Sequence, residues 1–280
     1  MHKEVFKTKK NIKDFKMAIF SDLHYYPGYP EKDLNKIINQ IKKSNVDYIT
    51  IVGDILDSSN YTELDQLKNF LTTLASIAPT IVIIGNHDEK DGYRHHWNKN
   101  PNKELINVLK SINNLHYLED NNYEINNINF YGFKLSYEYY DTKEPYDKFS
   151  EEIKEIHPNL KKDNYNILLI HSPINIYNYL KNNKESNLNE TDLILSGHMH
   201  NGCVPFWITN IFNKLFHTTR SLISPTRKKF PKYSQGRVYE RDGYIYQGIS
   251  KLSKSSKKFF HFFERFYRIN ITIIEIKKTS

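Results

Sequence analysis

One stretch constrains this chain more than any other: Ile49-Thr50-Ile51-Val52-Gly53-Asp54-Ile55-Leu56-Asp57. Its β-branched, apolar run predicts a short strand covered on both faces. Gly53 permits a tight turn where the strand stops. Asp54 then falls at the strand's carboxyl end, the edge where open α/β sheets place their chemistry. The same event occurs four more times. Met17-Ala18-Ile19-Phe20-Ser21 runs into Asp22-Leu23-His24, and Thr80-Ile81-Val82-Ile83-Ile84 runs into Gly85-Asn86-His87-Asp88. Asn166-Ile167-Leu168-Leu169-Ile170 runs into His171-Ser172-Pro173, and Asp192-Leu193-Ile194-Leu195-Ser196 into Gly197-His198-Met199-His200. Each strand delivers Asp, Asn or His to what is expected to be one rim.

Carboxylate, imidazole and amide oxygen together suit a borderline-hard divalent cation such as Mn, Fe, Co or Zn. The lack of cysteine in the set argues against a structural zinc site. Asp-x-His, Gly-Asp-x-x-Asp, Gly-Asn-His-Asp, a lone His after a strand and Gly-His-x-His, in that order, resemble the calcineurin-like metallophosphoesterase superfamily. The resemblance spans roughly Met17 to His200 and is to the bacterial envelope and lipid-phosphate type members.

What the resemblance implies is specific. The fold expected is α/β, a four-layer α-β-β-α sandwich of two mixed β-sheets flanked by helices, in a single domain over residues 1–280. Asp22, His24 and His200 would hold one metal, Asn86, His171 and His198 a second, and Asp54 would bridge them. Manganese is favoured. In two-metal hydrolases the ions sit roughly 3.5–4 Å apart and activate a shared water as nucleophile. His87, one residue past a ligand, is the expected general acid, a role that typically contributes about 10²–10⁴-fold. Asp57 is expected to hydrogen-bond its loop. Asp88 either orients His87 and raises its pKa, or caps the following turn.

The rest of the chain reads as cover for these strands. Residues 3–16 are expected to form an edge strand. Leu34, Ile37, Ile38 and Ile41 give one face to a helix over Glu31 to Lys43, and Leu64, Leu67, Phe70, Leu71 and Leu74 do so over Thr62 to Ile77. A further helix is expected near Lys103 to Ile112, antiparallel strands over 115–134, an irregular stretch over 137–150 and a helix near Ile174 to Leu180. Ile269 to Ile276 alternates like a closing strand. Tyr25 and Tyr26 follow Asp-x-His and could stack on a substrate, and His95 and His96 lie in a loop that could border the site.

A chain of 280 residues with 39% hydrophobic content can bury a sizeable core. The single cysteine, Cys203, excludes an intramolecular disulfide and fits a reducing compartment. Met1 to Lys16 has no continuous apolar run, so neither a signal peptide nor a membrane span is expected, which points to the cytoplasm. A formal net charge of +8 favours anionic partners: a phosphorylated substrate, an anionic membrane surface or, less strongly, nucleic acid. Ile208, Ile211, Phe212, Leu215 and Phe216 fall at helical spacing, as do Phe259, Phe262, Phe263 and Phe266 between Lys257, Lys258, Arg265 and Arg268. Segments 204–230 and 257–268 are therefore expected near the active-site rim. They either lie in the inner membrane face as a peripheral anchor or pack on the core.

The leading functional expectation is hydrolysis of a phosphomonoester or pyrophosphate bond, on a lipid-linked or envelope-related substrate. A phosphodiesterase acting on cyclic or other nucleotides comes second. A nuclease comes third, because no long basic groove or aromatic-basic platform can be assigned. A non-enzymatic scaffold would be expected to have lost a ligand or the acid, and this chain retains them.

Overall fold

Strands that are apolar on both faces need cover on both sides, and two stacked sheets with helices outside supply it. The computed structural model describes residues 1–89, 102–135, 140, 146–156, 158–200, 211, 215–216, 233, 235–246, 248, 269 and 271–279. Strands and helices are numbered along the chain. The first sheet runs in the order β1 (His2–Thr8), β12 (Thr272–Lys278), β2 (Phe15–Phe20), β3 (Tyr48–Val52), β4 (Thr80–Ile83) and β5 (Leu115–Tyr117). The second runs β10 (Gly236–Val238), β11 (Gly243–Ile245), β9 (Leu193–Ser196), β8 (Tyr165–Ile170), β7 (Ile128–Phe133) and β6 (Asn121–Ile125). Both are mixed. β12 is parallel to β1 and antiparallel to β2, while β2 through β5 are parallel. In the second sheet β11, β9, β8 and β7 are parallel, with β10 and β6 antiparallel at the edges.

The period of two along a strand sorts each residue into one of two cores. On β8, Tyr165, Ile167 and Leu169 face the space between the sheets, and Leu168 and Ile170 face outward. The inner layer is closed by rings from both sheets. Phe15 lies edge-on to Tyr48 at 5.6 Å and to Tyr165 at 6.0 Å, and Tyr48 lies 5.6 Å from Phe130. The outer face of the second sheet is covered by α5 (Tyr146–Lys154) and α6 (Ile176–Asn182), through residues such as Phe149, Ile153, Ile176 and Tyr179. The first sheet is covered by α1 (Glu31–Ser44), α2 (Asp65–Ile77) and α4 (Lys103–Ser111). Helix α1 buries Leu34, Ile37 and Ile41. It carries Glu31 and Asp33 in its first turn and Lys42 and Lys43 in its last, matching its dipole, and stops at Asn45 with φ 46°.

The four-layer architecture matches the expectation, and several local readings are corrected. The expected strand over 3–16 stops at Thr8, and Phe15 already belongs to β2. Within 115–134 only β6 and β7 form an antiparallel pair. β5 joins β4 in parallel in the other sheet, because Leu118 and its neighbours cross between layers there. The stretch read as irregular over 137–150 ends in α5, which begins at Tyr146. Strands β10 and β11 were not foreseen; three residues are too few to display a period. Of the segments 204–230 and 257–268, only residues 211, 215 and 216 are described, and His95, His96 and Cys203 lie outside the described residues.

β12 alone joins β1 to β2, and its Ile274 is fully buried. Ile274→Ala is expected to destabilise the fold by about 2–5 kcal/mol, read from the denaturant midpoint. A change below about 0.5 kcal/mol would put that position outside the packed core.

Candidate metal centre

The loops after β2, β3 and β4 meet those after β8 and β9 at one end of the sandwich, so each sheet contributes donors. The first two loops are stitched together by their backbones. Asp22 N–H donates to the Gly53 carbonyl at 3.0 Å, His24 N–H to Asp54 at 3.1 Å and Tyr25 N–H to Ile55 at 2.7 Å, and Tyr25 accepts from Asp57 N–H at 2.9 Å. This fixes the offset of Asp22 and His24 against Asp54. Five candidate ligands sit at positive φ, where non-glycine residues are strained: Asp22 (55°), His24 (47°), Asp54 (51°), His198 (69°) and His200 (43°). Gly53, at φ 82°, is needed for a second reason. A Cβ there would lie 2.4 Å from His171 Nδ1. A Cβ on Gly85 would lie 2.4 Å from Asp54 Oδ1.

The side chains fall into three overlapping groups: two share Asp54, and the third, His24, Asp57 and His87, shares His24 with the first. Asp22, His24, Asp54 and His200 offer atoms within 4.8 Å of one another, and Asp54, His171 and His198 do the same. His24 Nε2 is 3.0 Å from His200 Nε2, and His200 Nε2 is 3.3 Å from Asp22 Oδ1. Asp54 Oδ2 is 3.1 Å from His171 Nε2 and 3.8 Å from His24 Nε2. Asn86, buried at the start of the one-turn helix α3 (Asn86–Glu89), presents Oδ1 with no hydrogen-bond partner. Asp54 Oδ2, His171 Nε2 and His198 Nε2 are buried and likewise without a hydrogen-bond partner. Buried polar atoms are normally satisfied, so the open acceptors on Asn86 and His198, beside the Asp54–His171 pair at 3.1 Å, fit a cation.

The hydrogen bonds made by the remaining atoms set which lone pairs face the centre. His171 Nδ1 lies 2.6 Å from the Val52 carbonyl, which can only accept, so Nδ1 carries a proton and Nε2 is the nitrogen turned to the centre. Asp54 Oδ1 accepts His87 N–H at 2.8 Å, which leaves Oδ2 facing the His171 and His24 rings. Both Asp22 oxygens accept His198 N–H at 3.2 Å, and Ser21 Oγ donates to Oδ2. Burial lowers the pKa of His198 to about 3, with His171 adding to the shift, and lowers that of His200 to about 4. His171 goes the other way. Burial opposes its charge, but Asp54 and then Asp22 outweigh that and raise it to about 9.

His87 is half-buried beside this centre, its ring edge-on to that of His24 at 4.5 Å. Its Nδ1 is 2.9 Å from the Asp57 carbonyl. Asp57 also brings Oδ1 within 3.5 Å of His24 Nδ1, so it stands behind a candidate ligand as well as bonding its loop. Asp88 bonds backbone, not the His87 ring. Its Oδ1 accepts from Leu56 N–H at 2.7 Å and its Oδ2 from Gly85 and Ile55 at 2.8 and 3.2 Å. Burial, then the Asp54 charge, raises its pKa to about 7 against the pull of those three donors. Tyr25 is buried and stacked on Tyr29 at 5.9 Å, which removes it as a substrate platform. Tyr140 was not singled out by sequence, yet its ring lies 5.7 Å from His171 and 5.5 Å from His198. It sits in a stretch without periodicity, so no signal pointed to it.

A model of the calcineurin-like phosphoesterase family matches residues 15–202 of this chain. An uncharacterized metallophosphoesterase of Campylobacter jejuni is 28% identical over 200 residues, covering 69% of this chain and 46% of that protein. One from Aquifex aeolicus is 26% identical over 245 residues, covering 84% of this chain and 83% of that protein. The solved purple acid phosphatase PPD1 of yellow lupin aligns with a TM-score of 0.41 at 15% identity, covering 68% of this chain and 38% of that one. The chain spans about half the length of the Campylobacter and Helicobacter pylori relatives it matches.

The raised pKa of His171 has a measurable consequence. With its pKa raised by Asp54 and Asp22, His171 is expected to be protonated in metal-free protein at pH 7, so a cation bound through it would displace a proton, whereas burial favours the neutral forms of His198 and His200. Binding of Mn²⁺ to metal-free protein at pH 7 is expected to release at least about one proton. Titration calorimetry in two buffers of different ionisation enthalpy reads this directly. Identical heats in both would mean that His171 does not ligate from a protonated state.

Proposed function

The chain belongs to the calcineurin-like phosphoesterase family, and we propose that it is a metal-dependent phosphoester hydrolase cleaving a phosphomonoester or pyrophosphate bond. The observation that carries this reading is the pair of buried donor groups sharing Asp54, with acceptors left without partners on Asn86 and His198. In the proposed assignment Asp22, His24 and His200 hold one divalent ion, Asn86, His171 and His198 the other, and Asp54 lies between them. Manganese is the ion this reading favours, and the oxygen and imidazole set without thiolate also suits Fe, Zn or Co. When bound, such a pair supplies water activation and charge neutralisation at the phosphate.

The protein's own groups do the rest. The Asp54 carboxylate, pinned at Oδ1 by the His87 amide, presents a single oxygen at a fixed place. The carbonyl of Asp57 holds the His87 ring by Nδ1–H, which leaves Nε2 to hand a proton to the departing oxygen. The expected outcome is Mn²⁺-dependent hydrolysis that a chelator abolishes. In His87→Asn, an alkyl phosphate should slow by about 10²–10⁴-fold and an activated aryl phosphate much less, because the latter needs little protonation. Equal slowing of both would make His87 a phosphate-positioning group. No hydrolysis across monoesters, pyrophosphates and diesters would overturn the enzyme reading.

A finer part of the proposal is where the enzyme works. Ile211, Leu215 and Phe216 are 64%, 71% and 57% exposed, so the first apolar stripe, as far as it is described, does not pack on the core. Lys214 lies within it, and Arg220 and Arg227-Lys228-Lys229 follow it in the sequence. Apolar residues beside basic ones suit an anionic lipid surface, where each basic residue contributes about 1 kcal/mol. Among the described residues no helix is long and apolar enough to cross a membrane. The reading supported is peripheral docking on the inner membrane face and a lipid-linked phosphate as substrate. Co-sedimentation with anionic but not neutral vesicles is expected, weakened by Ile211→Ser with Leu215→Ser. Absence of binding at low salt would return the substrate to soluble phosphates.

A further inference from the structure

The two loops that would frame the second ion are held by a reciprocal exchange of carboxylates. Asp54, on the loop after β3, accepts the amide of His87 on the turn after β4 at 2.8 Å. Asp88, on that turn, reaches back to the loop after β3 and accepts the amides of Leu56 and Ile55 at 2.7 and 3.2 Å. The same Asp88 carboxylate accepts its own turn's Gly85 amide at 2.8 Å. Asp88 is fully buried, so water does not substitute for these bonds.

We propose that Asp88 is a positioning residue that fixes the separation between Asp54 and the Asn86-His87 pair, through the three backbone amides it gathers. This rests on the hydrolase reading above for its consequence and on hydrogen bonds alone for its geometry. Three donors from two loops converge on one side chain, and the ionised form of Asp88, with two acceptor oxygens and no donor, meets them all. An isosteric Asn presents one oxygen. It can serve Leu56 or the Gly85 and Ile55 pair, and it turns an NH₂ against the other amide. A Glu has the right chemistry and one methylene too many for a site with no exposure, so it pushes the loops apart. His87 is oriented from elsewhere, by the Asp57 carbonyl, so Asp88 acts through the backbone that carries the donors.

The test uses the full chain, Mn²⁺ alone as the binding probe and an aryl phosphate as substrate. Asp88→Asn and Asp88→Glu are compared with Asn166→Ala. Asn166 is a fully buried side chain at the start of β8 that bonds Lys161, Glu190 and Asn129 at the opposite end of the strand from His171. Its loss lowers stability without touching the site. In metal-free Asp88→Asn, amide exchange at Gly85, Ile55 or Leu56 is expected to accelerate while the circular dichroism spectrum stays unchanged. Mn²⁺ affinity should fall roughly 10–100-fold, as when groups supporting metal ligands are removed. At saturating Mn²⁺ the loss should appear mainly in kcat, with KM moving by less than about threefold. Asp88→Glu should restore part of the amide protection and none of the affinity.

Wild-type affinity in Asp88→Asn, or an affinity loss that Asn166→Ala reproduces at equal loss of stability, would overturn the proposal. Should the wild type bind no Mn²⁺ and hydrolyse nothing, the hydrolase reading falls and amide exchange alone judges the clasp. Faster exchange in Asp88→Asn then upholds it, and unchanged exchange overturns it.

Discussion

His171 ties the two sheets together at the place where the chemistry is proposed. It follows β8 of the second sheet, yet both its nitrogens engage the end of β3 in the first. Nδ1 meets the Val52 carbonyl at 2.6 Å and Nε2 meets Asp54 Oδ2 at 3.1 Å. The bond to Val52 closes off one nitrogen and aims the other, so a single contact across the layers sets ring orientation, tautomer and the Asp54 environment together. Gly53 and Gly85 are the space in which that ring lies. The rest of the site is built outward from this crossing: the first two loops zip onto Asp54, and His198 docks its amide on Asp22.

Holding so many polar groups in a buried corner is costly. Five candidate ligand positions carry positive φ, and each such residue stores about 1–3 kcal/mol of strain. Burial pushes His198 and His200 far toward neutrality, while Asp54 is drawn well below the ordinary carboxylate range. For Asp54, burial alone would raise the pKa; the neighbouring His171 and His87 charges overcome it. The site is thus tuned with one strongly anionic carboxylate, Asp54, and imidazoles whose burial and neighbours favour different charges. The two apolar cores on either side of the second sheet supply the stability against which this strain is set.

Much of this was legible in the sequence because the informative residues obey simple rules. A strand that is apolar on both faces has a fixed end, and the residue after it has a fixed address, so Asp22, Asp54, Asn86, His171 and His198 could be placed on one rim without coordinates. What was not legible depends on contacts between segments far apart. The choice of sheet for Leu115–Tyr117 is made by pairing with β4, which the alternation over 115–134 does not encode. Tyr25 follows a motif directly, yet its ring is buried against Tyr29, because the backbone bridge to Leu56 turns it inward. Tyr140 and the three-amide role of Asp88 have no sequence signal at all, since both arise from where loops fold back on one another.

The donor set also decides what charge the site presents to a substrate. Within the two groups that share Asp54, only Asp22 and Asp54 are carboxylates, while Asn86 and the imidazoles of His24, His171, His198 and His200 are neutral as ligands. On the proposed reading two divalent ions bring four positive charges against two negative, which leaves a net attraction for anions. Asp57 stands behind His24, 3.5 Å from its Nδ1, so its charge is directed at that imidazole before it is felt in the cleft. The protein as a whole adds its own formal +8. A terminal phosphate with two charges gains more from such a field than a diester with one, and the gain is largest where burial keeps water out. A carboxylate at position 86 would remove part of that difference. On the proposed reading, the neutral amide at position 86 therefore keeps the site cationic overall and attractive to phosphate.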